Sequence, residues 1–311
     1  MKKGQLNKFV IKAIVFALPV FVLFEVLFRL GFTPIVTSSD LFDTKMRHIK
    51  KQHITQVNLM AIGSSITLYE LKSDIVRQNL DTSYYNFASW GIQITDMRLM
   101  LDKFIPVHQP KYVIMCASLG EFMSAPNSTY ANYLNTPGFI RKSLPELFYL
   151  KNYNSIHQII WRKYFEYPIN FDAWGGASLT VKPKDINRKM WDAHDIFPTK
   201  YTQSNYVGLD SLAGWLKQKN IKFIFIQAPI KKSYANTAFY QQRINTHFDK
   251  CRSIIEGQGG IYLNYYNTAI FNDSLFVDQY HLQNTGAIIF TKEVVAGLKN
   301  VILGRCVSYT P

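Results

Sequence analysis

Two short blocks near opposite ends of the chain hold the residue types of acyl-transfer chemistry. The first, Ala61-Ile62-Gly63-Ser64-Ser65-Ile66-Thr67, puts a pair of serines where a strand-like run gives way to a helical stretch near Leu68. Backbone N–H groups and the helix dipole favour developing negative charge at such a place. The second, Phe276-Val277-Asp278-Gln279-Tyr280-His281-Leu282-Gln283-Asn284-Thr285-Gly286-Ala287, sets Asp278 and His281 three apart. On one turn that spacing lets a carboxylate accept from one imidazole nitrogen while the other nitrogen faces a nucleophile. The carboxylate then fixes the tautomer and stabilises the imidazolium. An isolated Gly-Ser-Ser is more often a helix cap than a nucleophile. The Asp-x-x-His block reverses that balance.

These blocks need a scaffold that brings positions some 215 residues apart to one edge. Short apolar runs at Val57–Ile62, Tyr84–Ala88, Tyr112–Ala117, Lys222–Ala228 and Ile261–Tyr265 read as strands. Between them Ile94, Met97, Leu101, Phe104 and Ile105, then Leu209, Leu212, Ala213 and Leu216, repeat at helical spacing. Ile288, Val295 and Leu298 mark a last helix after Gly286. Alternation of this kind predicts an α/β fold of three layers, α/β/α, with a mostly parallel five-stranded sheet. Residues 121–205 interrupt it with a loop-rich, aromatic stretch read as an insertion. It follows the third strand, where loops of open parallel sheets build the ligand crevice, so Trp161, Trp174 and Trp191 are candidates for a substrate groove.

The N-terminus bears on the compartment. Residues 9–32 are apolar apart from Lys12, Glu25 and Arg29, long enough to span a bilayer. No small-residue cleavage pattern follows the apolar core, so the segment reads as an uncleaved anchor. Lys2, Lys3, Lys8 and Lys12 precede it, and the positive-inside rule leaves the N-terminus in the cytoplasm. The expected organisation is a cytoplasmic N-terminus and transmembrane helix over 1–32, a juxtamembrane linker over 33–56, and a body over 57–311 outside the bacterial inner membrane, in the periplasm.

The chain carries 35 Lys and Arg against 21 Asp and Glu, a net +14, of which +10 lies beyond residue 32. Such a surface attracts polyanions. Nucleic acid is an unsupported partner, because no zinc spacing, long basic run or RNP-like strand is present; anionic headgroups or an acidic glycan fit better. Cys116, Cys251 and Cys306 are an odd set that implies no disulfide framework. His53, His108, His157, His194 and His247 lack partners at ligand spacing, so neither a metal nor another cofactor is expected.

Taken in order, the blocks resemble those of the SGNH, or GDSL-like, hydrolase superfamily, whose sheet is flavodoxin-like. Gly63-Ser64-Ser65 matches its Gly-Asp-Ser block with Ser64 in place of Asp, and Asp278-x-x-His281 matches its last block. The resemblance implies a triad of Ser65, His281 and Asp278, with Ser64 as the fallback nucleophile. The Asn-x-x-x-x-Gly block corresponds to Asn86 through Gly91, so the backbone N–H groups of Gly91 and Ser65 would form the oxyanion hole. The remaining block, Gly-x-Asn-Asp, departs: its place reads Ser118-Leu119-Gly120-Glu121. The usual amide is absent, and Ser118, a nearby backbone N–H or Asn127 would replace it. Ser64, Asn86, Ser118 and Asn127 thus join the three tryptophans as substrate-binding candidates.

An N-terminal anchor with a Gly-Ser-Ser block is further similar to the D-alanine transfer protein of teichoic-acid modification and to the alginate O-acetylation proteins. That likeness implies a membrane-anchored serine esterase or O-acyltransferase working through an acyl-serine on an envelope or exported polysaccharide, beside a membrane-bound O-acyltransferase. Two alternatives stand beside it. One is a non-catalytic glycan-binding or assembly protein on the same fold; the other is a lipase-like esterase.

Overall fold

The computed structural model describes residues 3–29, 40–52, 54–122, 130, 169–179, 202–235, 237–266 and 269–302. The chain divides into two compact units. What is described of the first is helix α1, Lys3–Arg29. Gly4–Leu23 within it is long and apolar enough to cross a membrane, and its side chains, Phe9, Ile11, Val15 and Phe16 among them, are exposed.

The second unit is built on five parallel strands in the order β2-β1-β3-β4-β5. They are β1 Leu59–Ala61, β2 Tyr84–Asn86, β3 Tyr112–Ala117, β4 Lys222–Gln227 and β5 Ile261–Asn264. Val113 to Ala117 of β3 and Ile224 to Ile226 of β4 have no exposed surface. This is the burial expected of a parallel sheet covered on both faces, and it explains why these strands read as continuous apolar runs instead of alternating ones. Each expected strand is found, four of them one to three residues shorter. The ladder nevertheless runs one bond past the ends: Ile62 N–H donates to Ile114 O at 2.9 Å and Ala228 N–H to Ala117 O at 2.9 Å.

Helices fill the crossovers. Between β1 and β2 lie α3 Ser65–Glu70 and α4 Ser73–Asn79, preceded by α2 Asp40–Lys51. Then come α5 Ile94–His108, α6 Gln203–Gln218, α7 Ala238–Gly257 and α8 Asn284–Ile302. Helices α5, α6 and α7 pack as neighbours in one layer, and α8 packs on α3 and α4 in the other. With this strand order the chain reverses direction across the sheet between β1 and β3. Loops leaving the C-terminal ends of those two strands diverge there, which opens the crevice of a doubly wound sheet.

The stretch expected as a juxtamembrane linker contains α2, a helix docked on the second unit. Leu41, Phe42, Lys45, Met46 and Ile49 are buried, and Phe42 stacks on Tyr130 with ring centroids 4.0 Å apart. The buried Lys45 ammonium donates to Gly175 O and sits 4.6 Å from the Phe171 ring centroid.

Candidate active site

The first wall of the site is made where β1 turns into α3. Gly63 packs so closely that a Cβ there would lie 2.0 Å from Thr67 Oγ1, a distance no side chain can occupy. That closeness lets Thr67 reach across to β3: its hydroxyl donates to Cys116 O at 2.7 Å and accepts from Cys116 N–H at 3.0 Å. Ser64 caps α3, its Oγ receiving Ile66 N–H at 3.4 Å, and Ser65 opens the helix. The cap geometry therefore turns the Ser65 side chain out of the sheet edge while Thr67 fixes the turn beneath it.

Asp278 and His281 arrive on a tight loop after β5. An isolated bridge pairs Phe276 with Leu282, and Val277 N–H donates to His281 O at 2.8 Å. Asp278 Oδ1 takes the backbone N–H groups of Tyr280 and His281 at 2.8 and 2.7 Å. The other oxygen, Oδ2, lies 2.8 Å from His281 Nδ1. A carboxylate only accepts, so Nδ1 carries the proton and Nε2 is left as the base. Nε2 lies 2.8 Å from Ser65 Oγ. Behind the loop, Glu70 Oε1 accepts Leu282 N–H at 3.1 Å.

The electrostatics follow from this wiring. Burial works to raise the Asp278 carboxyl, but His281 beside it and the hydrogen bonds it accepts outweigh burial and hold it below the usual range. Burial works to lower His281, yet the Asp278 charge and hydrogen bond, helped by Glu121, leave the imidazole above its ordinary value.

The cleft around Ser65 Oγ has a volume of about 220 Å³. Ser64, Ser65 and Ile66 line one side, Gly91 to Gln93 the next, and Ser118, Gly120 and Glu121 a third, with Tyr280 and His281 closing the ring. Gly91 has φ +64°, the left-handed region that glycine enters without penalty. The expected oxyanion pair, Ser65 and Gly91, thus borders one cleft.

The remaining candidates divide. Ser64 and Ser118 line the cleft, and both hydroxyls engage Glu121: Ser64 Oγ donates to Oε1, and Ser118 Oγ lies 3.3 Å from Oε2. Asn86 does not reach the cleft. Fully buried, it donates to Thr67 O and accepts Ala88 N–H, both at 2.9 Å, so it ties the end of β2 to α3. Trp174 is not among the cleft-lining residues; its carbonyl accepts Asn86 N–H at 2.8 Å. Asn127, Trp161 and Trp191 lie outside the described residues, as does most of 121–205. Glu121 and Tyr280 reach the cleft without having been assigned a role from sequence. The signal for Glu121 was the missing amide itself, since an acidic side chain stands where that block ends. Among the described residues no group of three or more His, Cys, Asp or Glu side chains is placed to hold a metal.

Fold and site together define a class: a doubly wound α/β/α sheet whose topological switch point carries a hydrogen-bonded Ser-His-Asp array. No family profile matches the chain, and no curated protein does. Solved structures similar to it include a psychrotrophic esterase from Pseudoalteromonas, 11% identical with a TM-score of 0.39 over 79% of this chain and 98% of that one. A GDSL-like lipase from Bacteroides thetaiotaomicron is 11% identical, TM-score 0.42, over 83% and 99%. An acetylxylan esterase from Geobacillus stearothermophilus is 10% identical, TM-score 0.41, over 78% and 94%. The class rests on the strand order and on the triad distances, not on these likenesses.

Proposed function

We propose that the protein is a serine esterase or O-acyltransferase that forms an acyl-Ser65 intermediate, held at a membrane and acting on an extracytoplasmic glycan. The observation that carries this is the unbroken chain Ser65 Oγ, His281 Nε2, His281 Nδ1, Asp278 Oδ2, with both contacts at 2.8 Å. Ser65 Oγ attacks the ester carbonyl while its proton passes to Nε2. Collapse of the tetrahedral adduct breaks the ester C–O bond, and the departing alcohol takes that proton. A water or sugar hydroxyl then attacks the acyl-serine, giving its proton to the same nitrogen, and Ser65 is restored as the acyl group leaves.

The narrow cleft, smaller than the roughly 300–1,000 Å³ of drug-sized ligand sites, supports a short acyl group such as acetyl. Surplus positive charge beyond residue 32 supports an anionic polymer or surface as its setting. The apolar helix α1 and the Gly-Ser-Ser block support a place among membrane-anchored acyl-transfer proteins, with a membrane-bound O-acyltransferase as the acyl source.

The test uses the full chain in detergent and p-nitrophenyl acetate. Wild-type protein is expected to release nitrophenol and to take up a fluorophosphonate at Ser65, and Ser65→Ala to lower kcat on the order of 10⁴–10⁶-fold and abolish labelling. Added oligosaccharides that emerge acetylated, read by mass spectrometry, identify the transferase. Turnover that survives Ser65→Ala, or label found on Ser64, removes the assignment.

A further inference from the structure

The loop that carries Asp278 and His281 holds its own shape. Val277 N–H donates to His281 O at 2.8 Å and Gln283 N–H to Leu275 O at 2.7 Å, and Asp278 Oδ1 takes two N–H groups of the same turn. Bonds of this kind fix how Asp278 meets His281, but they leave the loop's distance from Ser65 unset. We propose that Glu70 sets it: its carboxyl holds the Leu282 N–H and so seats the histidine loop against the helix that carries the nucleophile. Glu70 is a positioning residue that acts through His281. This rests on Ser65 being the nucleophile and His281 its base.

Helix α3 opens at Ser65 and closes at Glu70, so a single short element, about 7.5 Å long at 1.5 Å per residue, carries both the nucleophile and the seat of the loop. At its far end Glu70 Oε1 accepts Leu282 N–H at 3.1 Å, and Leu282 directly follows His281. The main chain is fixed at the same place. Thr291 Oγ1 lies 2.7 Å from Glu70 O and accepts Lys72 N–H at 2.9 Å. Thr291 belongs to α8, which begins at Asn284, two residues after Leu282. Glu70 thus meets the loop with its side chain and the helix that follows the loop with its carbonyl.

Packing alone does not ask for a carboxyl here. Glu70 has no exposed surface, and its Oε2 has no hydrogen-bond partner among the described residues. An orphan oxygen in the interior is destabilising, and a leucine would fill comparable space without one. What a leucine lacks is the acceptor for Leu282, itself fully buried, whose N–H would then be orphaned instead. Burial, with Asp278 and Glu121 adding to it, outweighs the Leu282 bond and the pull of Lys72 and holds the Glu70 carboxyl well above the usual range. The neutral acid is the form a glutamine copies.

The experiment measures kcat and kcat/KM for p-nitrophenyl acetate against pH in wild type, Glu70→Gln, Glu70→Asp and Glu70→Leu, each checked for folding by its urea midpoint. Glutamine keeps the reach of the side chain without the acid, whereas aspartate keeps the acid and falls one methylene short of Leu282. Glu70→Gln is expected to turn over at the wild-type rate. Glu70→Asp and Glu70→Leu are each expected to lose about 10²-fold in kcat and kcat/KM together, the cost of displacing a catalytic group by about 1 Å. Their acid limb stays at the wild-type pH, because Asp278 travels with His281. Adding Glu70→Leu to His281→Ala costs nothing further, since the residue it positions is gone. A glutamine as slow as the leucine, wild-type kcat in a folded Glu70→Leu, a shifted acid limb in the slow variants, or a further loss in the His281→Ala background overturns the inference. Should Glu70→Leu not fold, the contrast of aspartate with glutamine decides. Wild-type turnover equal to Ser65→Ala sinks instead the reading of Ser65 as nucleophile.

Discussion

Asp278 holds three N–H groups with two oxygens, and the division sets how the site titrates. Its Oδ1 is fixed by two backbone donors of its own loop, so the carboxylate cannot rotate away from the imidazole. A base must be neutral to accept the Ser65 proton, and the Asp278 charge and hydrogen bond leave His281 with a raised pKa despite its burial. Activity is therefore expected to switch on at higher pH than a free histidine would give. Asp278→Asn removes the charge and leaves an amide that can impose the wrong tautomer. The expected result is a fall in kcat of about 10⁴-fold together with a shift of the acid limb to lower pH. An unmoved limb in the kcat/KM profile would show that another group sets it. This pair was legible in the sequence because its geometry is local, two side chains three positions apart on one loop. The Ser64–Glu121 contact was not, since it joins positions 57 apart and depends on β1 and β3 being neighbours.

At the scale of elements, the junction of β1 with α3 is tied to β3 through one threonine. Thr67 makes both of its bonds to Cys116 only because Gly63 leaves room for its hydroxyl. Gly63→Ala places a methyl 2.0 Å from Thr67 Oγ1, so either the threonine rotates away from Cys116 or the turn opens. Overpacking of this kind costs about 1–3 kcal/mol, and the loss of the tie adds to it. The urea midpoint should fall, and fluorophosphonate labelling at Ser65 should fall further than stability explains, because the serine follows two positions later. Labelling at wild-type rate in a folded Gly63→Ala protein would mean the turn is not what aims Ser65. The strands were legible as apolar runs because a doubly covered parallel sheet buries both of their faces. Helix α2 lies in the stretch expected as a linker, although Leu41, Phe42, Met46 and Ile49 hold helical spacing. Lys45 on the same face disguised the stripe: an ammonium there reads as solvent-facing until its partner, the Gly175 carbonyl, is known.

At the scale of the whole chain, helix α1 and the charge distribution make one physical argument about location. The 20-residue span Gly4–Leu23 rises about 30 Å at 1.5 Å per residue, the thickness of a bilayer's hydrocarbon core. A cleaved signal and a retained anchor share that length; what differs is the chain that follows, where Val26, Leu27, Phe28 and Leu30 continue the apolar run in place of a small-residue cleavage site. Retention therefore predicts that the intact mass of the purified protein includes residues 1–32, and that the protein stays in the membrane pellet through an alkaline carbonate wash. Lysines 2, 3, 8 and 12 precede the span, so a C-terminal alkaline-phosphatase fusion, which matures only outside the cytoplasm, should be active. The outcomes separate cleanly. A shortened N-terminus with an active fusion means an exported, released enzyme, whereas a full-length protein with an inactive fusion means that the site faces the cytoplasm, and the extracytoplasmic glycan would have to be abandoned as substrate.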